Sequence, residues 1–241
     1  MPKMNHWQRH RLRKGTHFAA KPDQNRGDVT RDILLQTATS IFARDGYDAT
    51  GTRAIADAAG VNQALISYHF GNKHGLYLAV FENIAAQINI RFGNSIVAIK
   101  NTLTREYPTK LEARNGYFDA LIRLCSEFID MLSSDDSIDK SRLMMREQQS
   151  PTEAFDIVYG AFIGPSLQII GEIFTRLRPD LNPQQIKLLV ISFFGQMIAI
   201  RATRSSICRF MDWPEIGKAE AELYKNQMQE TARALLLRAE L

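Results

Sequence analysis

Residues 50–73 read TGTRAIADAAGVNQALISYHFGNK. Two short helices that cross steeply need a small side chain where their axes approach, and Ala56 supplies it. The turn between them needs a residue that tolerates a left-handed backbone, and Gly60 stands four positions later. Ile55, Ala59, Val61 and Ile66 occupy the places that close the inside of such a corner. The spacing predicts a helix over Thr50–Ala59 with Thr50 as its N-cap, a break at Gly60, and a helix over Asn62–Phe70. That is a helix-turn-helix, whose second helix is free to enter a DNA major groove about 12 Å wide. An Ala…Gly spacing alone is equally compatible with an ordinary helical corner. The bracing helix before it and the aromatic and basic residues after it favour the DNA-binding form.

Working outward, a helix over Thr30–Asp45 places Leu34, Ala38, Ile41 and Phe42 on one face, and Gly46 stops it. Gly71-Asn72 ends the corner's second helix and caps a long one over Lys73–Thr102. Further helices are predicted over Leu111–Leu132 and Ile138–Gln148, separated by the polar Ser133-Ser134-Asp135-Asp136. Ser150-Pro151-Thr152-Glu153 reads as a start signal: a capping Ser, Pro at the first position and Glu three after the cap. That helix runs to Arg178 with a kink at Pro165, which has no backbone N–H to donate. Asn182-Pro183-Gln184-Gln185 repeats the start logic for a helix to Arg204, and Pro214 opens a last one over Glu215–Ala239. β-branched residues fall within helical periods and no hairpin dipeptide divides alternating runs, so the chain is expected to be all-α. Three parts are expected: a flexible basic arm (1–28), a three-helix helix-turn-helix domain (29–81) and a larger helical domain (82–241).

Composition narrows the function. The 241 residues are 45% apolar and 23% charged, enough to pack a core. No run of eighteen apolar residues occurs, since Lys187, Ser192 and Gln196 interrupt Ile186–Ile200, so no membrane span is expected. The basic start lacks the apolar block of a secretory signal. Cys125 and Cys208, far apart, argue for a reducing compartment, hence a cytoplasmic protein without disulfide or zinc scaffold. His6 and His10 have an i, i+4 spacing but no third ligand, so no metal is expected. No nucleophile–base pair or glycine-rich phosphate loop is present, so the rival reading as an all-α enzyme has little support and no cofactor is expected. The net charge of +4 is uneven: residues 1–31 carry eight basic side chains against Asp23 and Asp28, leaving the remainder at −2. Residues 32–82 hold Arg44, Arg53 and Lys73 against five acids. Binding to duplex DNA rests on phosphate neutralisation, so Arg9, Arg11, Arg13 and Lys14 of the arm are expected to supply it, along the backbone or in the minor groove.

Asp45-Gly46-Tyr47, Thr50, Arg53 to Ala56, Ala59-Gly60-Val61, Tyr68-His69-Phe70 and Asn72-Lys73 resemble the N-terminal domain of TetR-type transcriptional regulators. Arg146-Glu147 and Ser150-Pro151-Thr152-Glu153-Ala154-Phe155 resemble the C-terminal domain of that family's CecR-like subgroup. The resemblance implies a homodimer that represses transcription at a palindromic operator until a small molecule binds the C-terminal domain. It also implies phosphate contacts from Thr50, Tyr68, His69 and Lys73. Asn62 opens the recognition helix, from which Gln63, Ala64 and Ser67 would face base edges: Gln63 suits adenine and Ala64 a thymine methyl. The sequence departs from the family where Ser67 replaces a common Tyr, Leu65 a frequent polar residue, and His74-Gly75 a common acidic one.

In the second half, Phe118, Ile122, Cys125 and Phe128 form one stripe, with Met144 and Phe155 on the following helices. Met and Phe suit an adaptable apolar pocket, although such stripes are usually plain core. Arg146, Glu147, Glu172 and Gln196 are the polar groups available to orient a ligand. The helix from Asn182 is apolar on more than one face, so Leu189, Phe193 and Met197 are expected to meet a second subunit together with Ile170 and Phe174; the alternative is the central helix of a single-chain core. Gly195 and Ala199 would permit close approach. The expected function is a DNA-binding repressor relieved by a small molecule. The alternative is a ligand-independent regulator controlled by a protein partner or by abundance.

Overall fold

The computed structural model describes residues 22–237. The arm residues Arg9, Arg11, Arg13 and Lys14 therefore lie outside the described residues. Eleven α-helices are present among the described residues, and no strand. The chain is all-α, as its periodicity requires.

Helices α1 (Pro22–Asp45), α2 (Thr52–Ala59) and α3 (Ala64–Phe70) form a compact N-terminal domain. Its interior is Leu34, Phe42, Ile55, Ala56 and Ile66, each at most 1% exposed. Helix α1 starts eight residues before the predicted Thr30, at Pro22, so part of the expected arm is helical. Helix α4 (Lys73–Thr104) begins in this domain, where Leu76 and Val80 close the core, and runs on for about 48 Å at 1.5 Å per residue. It is therefore a shared beam between the two halves.

The second half is a bundle of α5 (Lys110–Ser133), α6 (Ile138–Gln149), α7 (Glu153–Val158), α8 (Gly164–Leu177) and α9 (Pro183–Ala202). Helix α10 (Arg204–Phe210), which periodicity did not reveal, is a short spur, and α11 (Lys218–Leu236) packs back on α5. The expected kink at Pro165 takes the form of a π-helical segment, Tyr159–Ile163, immediately before it. Widening the turn accommodates a ring that would otherwise clash with the preceding turn.

Two expectations need correction. Ile170, Phe174, Phe193 and Met197 are at most 2% exposed within the single chain, and Phe174 and Phe193 pack edge to face at 5.5 Å. They fill the seam between α8 and α9 and cannot meet a partner; Leu189 is half-buried. The apolar groups that α9 turns outward are Leu188, Ile191 and Ile198. Second, Glu153–Leu177 and Pro183–Ala202 do have the length and hydropathy of a membrane span. Here they lie side by side in the bundle, and Lys187, Ser192 and Gln196 share the outward face of α9 with its apolar residues.

Candidate DNA-binding face and inner cavity

The corner is built as its spacing requires. Gly60 takes φ +68°, and the N–H groups of Gly60 and Val61 donate to the carbonyls of Asp57 (3.2 Å) and Ala56 (3.0 Å). Those bonds satisfy the last turn of α2 and swing the chain into α3. Asn62 stands before α3 rather than in it, and its side chain accepts the Ala64 N–H at 2.8 Å, which starts the helix. Ile66 is buried while Gln63, Ala64, Ser67 and Tyr68 are exposed, Tyr68 by 80%. One side of α3 is therefore held and the other is presented. Leu65 is half-buried against the core, which accounts for an apolar residue at a position the family often makes polar.

Not every expected contact is on that face. Thr50 is only 3% exposed, and its hydroxyl donates to the Gly46 carbonyl at 2.6 Å. It locks the bend after α1 and does not cap α2, whose N-cap is Gly51. Gln63 Nε2 donates to Thr52 Oγ1 at 2.9 Å, tying the starts of α2 and α3 together. Lys73 sits over the Tyr47 ring at 4.4 Å, with Nζ 3.4 Å from the Asp48 carbonyl. His69 is half-buried, its ring edge-on to Tyr68 at 4.9 Å.

A cavity of about 600 Å³ opens in the second half, between α4, α5, α6, the π segment and α9. Phe128, Phe162 and Phe194 form its aromatic wall, with Phe128 at 6.1 Å from Phe162 and 6.2 Å from Phe194. Of the ten residues expected to line a pocket or orient a ligand in it, Phe128 and Met144 line the cavity. Phe118 is instead buried beneath the Arg233 guanidinium, 5.1 Å from its ring, and Phe155 packs on Tyr159. Cys125 is in the core, where burial pushes its thiol well above the ordinary value, and Ile122 packs against that core. Glu172 and Gln196 are exposed outside the cavity. The stripe on α5 is real, but only its last turn reaches the place where the helices separate. Residues not singled out by sequence line the remainder: Arg91, Lys140, Ser141, Gln148 and Arg201.

Arg146 and Glu147 have a different place, at the junction between the halves. Arg146 Nη1 donates to the Phe42 carbonyl at 2.7 Å, in the last turn of α1. Glu147, 3% exposed, accepts the Tyr77 hydroxyl of α4 at 2.8 Å. Its other oxygen accepts the Thr152 N–H and hydroxyl, both at 2.9 Å. Burial and that donation to Glu147 push the Tyr77 phenol far above its usual value. The carboxylate also holds Thr152 as the N-cap of α7, so the helix starts at Glu153 and not at the predicted Pro151. Ser40 of α1 donates to Asp139 at 2.7 Å, a second tie between α1 and α6.

A convex helix face beside a braced corner, followed by a separate cavity-bearing bundle, defines a helix-turn-helix regulator. Comparison with known proteins agrees. Residues 34–80 match the tetR family of bacterial regulatory proteins, and residues 118–238, half of the chain, match the C-terminal domain of the HTH-type transcriptional dual regulator CecR. The chain belongs to the TetR family of transcriptional regulators, with a C-terminal domain of the CecR type. It is 29% identical to the dual regulator CecR of Shigella flexneri over 82% of this chain and 87% of that one. Its fold is shared with the fatty acid degradation regulator FadR from Bacillus halodurans (TM-score 0.55, 17% identity, 85% and 96% of the two chains). It is shared too with AibR, solved with isovaleryl coenzyme A and operator DNA (TM-score 0.60, 15% identity, 84% and 97%). The chain is thus a transcriptional regulator and not an enzyme.

Proposed function

We propose that the chain is a cytoplasmic, homodimeric, sequence-specific repressor whose grip on a palindromic operator is released when a small molecule enters the cavity. The observation that carries this reading is the double duty of α6. One side of the helix lines the cavity through Lys140, Ser141 and Met144. Its other side holds the DNA-binding domain through Asp139, Arg146 and Glu147. A ligand that displaces α6 must strain three hydrogen bonds to α1 and α4. It thereby favours a state in which the two recognition helices of a dimer are wrongly spaced. AibR, which shares the fold and was solved with isovaleryl coenzyme A and operator DNA together, supports a ligand of the second half acting on DNA binding here.

Base readout is assigned to Gln63, Ala64 and Ser67, and phosphate contact to Tyr68, His69 and Lys73, with Asn62 fixing the start of α3. Lys73 must leave the Tyr47 ring to reach a phosphate. Thr50 has no such role, since its hydroxyl is spent inside the bend. The arm supplies the positive charge that residues 32–82 lack. The dimer forms through the outward face of α9, where Leu188, Ile191 and Ile198 stand beside the small Gly195 and Ala199.

Replacing Leu188 and Ile191 together by Glu tests the assembly: sedimentation should give a monomer, and operator binding should fall with it. A double variant that remains dimeric refutes this interface. Deleting residues 1–21 should flatten the dependence of log K on log salt, and an unchanged slope removes the arm from the contact.

A further inference from the structure

The cavity has two unlike ends. Toward the DNA-binding domain, Ile84, Met144 and Met145 continue the aromatic wall. Toward the turn between α5 and α6, the lining becomes cationic, with Arg91, Lys140 and Arg201 against a single acid, Asp136. Arg201 is fixed: Nε donates to the Leu132 carbonyl at 2.6 Å, and Nη2 to the Ser134 carbonyl and the Ser137 hydroxyl at 2.7 and 2.9 Å. Burial, then Arg204, pull its guanidinium below the ordinary value while Asp135 opposes them, so an added anion would be welcome there. Lys140 is half-buried, and among the described residues its ammonium makes one hydrogen bond, to the neutral Gln87 Oε1 at 2.6 Å. Ser141 lines the same space, and its side chain makes no hydrogen bond to the described residues. Its hydroxyl can therefore donate to a group held in the cavity.

We infer that the cavity takes an anionic amphiphile: an apolar chain or ring body against Phe128, Phe162 and Phe194, with one acidic group reached by Lys140, Arg91 and Ser141. Lys140 trades its neutral partner for the acid, and Arg201 supplies a fixed positive field behind it. Met131, Met144 and Met145 let the apolar part vary in shape. A neutral ligand of the same body would leave the cations as they are, and a cationic one would be repelled. This inference rests on the effector reading above and names the chemistry of that effector.

The test is calorimetric titration of the full-length protein with decanoate, decyl phosphate, decanol and decyltrimethylammonium, which share one chain and differ in head group. Both anions should bind, with decanol about ten-fold weaker or more, as a charge-assisted hydrogen bond is lost. Whichever of decanoate and decyl phosphate binds more tightly identifies the acid as carboxylate or phosphate. In Lys140→Met the ratio of decanoate to decanol affinity should fall about ten-fold. Should that variant not fold, Arg91→Met, at an exposed position, carries the same expectation in direction. The inference is overturned if decanol binds as tightly as decanoate, if none of the four binds, or if the ratio is unchanged in the folded variants. Retention of a labelled operator fragment separates the two readings. An anion that binds without releasing DNA sinks the effector reading and leaves the ligand class standing. A neutral amphiphile that binds and releases DNA does the reverse.

Discussion

The corner of α2 and α3 and the cavity of the second half solve opposite problems. In the corner the small apolar groups Ala56, Ile55 and Ile66 are turned in, and the polar face of α3 is turned out. Such a convex site recognises a partner larger than itself. In the cavity, Lys140, Ser141 and Arg201 are turned toward an interior space walled by aromatic rings. That concave site recognises something smaller. The first site is specified by residues within a single stretch of 24, whereas the second exists only where five separate segments fail to close on one another. Helix α6 lines the second and reaches the first only through α1 and α4, and in the proposed reading the junction through Arg146 and Glu147 is where one site would feel the other.

The largest effect should come from breaking the convex site. A Cβ at Gly60 would meet open space, but φ is +68°, so Gly60→Val imposes backbone strain of about 1–2 kcal/mol or more. Because that strain falls on the turn that aims α3, operator binding should be abolished while the second half still dimerises. Intact binding by this variant would mean that the turn is not what positions α3. Next in size is the junction. Glu147→Ala leaves the Tyr77 hydroxyl and Thr152 without a buried acceptor and should cost about 3 kcal/mol in urea unfolding. A change under about 0.5 kcal/mol, the range of an ordinary surface substitution, would show that the halves do not depend on this tie.

Gln63→Ala sharpens the comparison on the DNA side. It should cost about 1–3 kcal/mol at particular base pairs of the operator and little elsewhere. A uniform loss on all sequences would reassign Gln63 to orienting α3 through Thr52, the bond it makes here. The smallest effect is alkaline. The Tyr77 phenol is raised in the folded chain above its ordinary 10.0, so its contribution to stability is complete below pH 10 and is lost as pH rises further. Above about pH 10 the fall in urea midpoint should be shallower in Tyr77→Phe than in the parent chain.

Local rules made much of this visible in the sequence. The Asn182 and Gln185 side chains form the reciprocal cap that the Asn-Pro-Gln-Gln run implies. Gly60 and Ala56 stand in the roles their spacing assigns. What local rules missed is tertiary. The start of α7 moved to Glu153 because a carboxylate six residues earlier captures Thr152. Thr50 left the DNA face because the bend after α1 offered its hydroxyl a carbonyl. Periodicity showed that α5 and α9 are broadly apolar, but not which apolar residues a neighbouring helix would cover. Phe118 and Phe193 were thus covered, while Phe128 met the cavity and Leu188 the exterior. Lys140, Ser141 and Arg201 lie far apart in sequence or within a polar run, and only the placing of α6 beside α9 brings them to one space.

The central claim is that the exposed side of α3 reads a particular DNA sequence. The most direct measurement is the affinity of the full-length protein, at one fixed salt concentration, for duplexes covering the region upstream of its own gene, against a shuffled duplex of equal length. A palindromic site should be bound at least about 10³-fold more tightly, by two chains per site. Equal affinity for the two duplexes would contradict it.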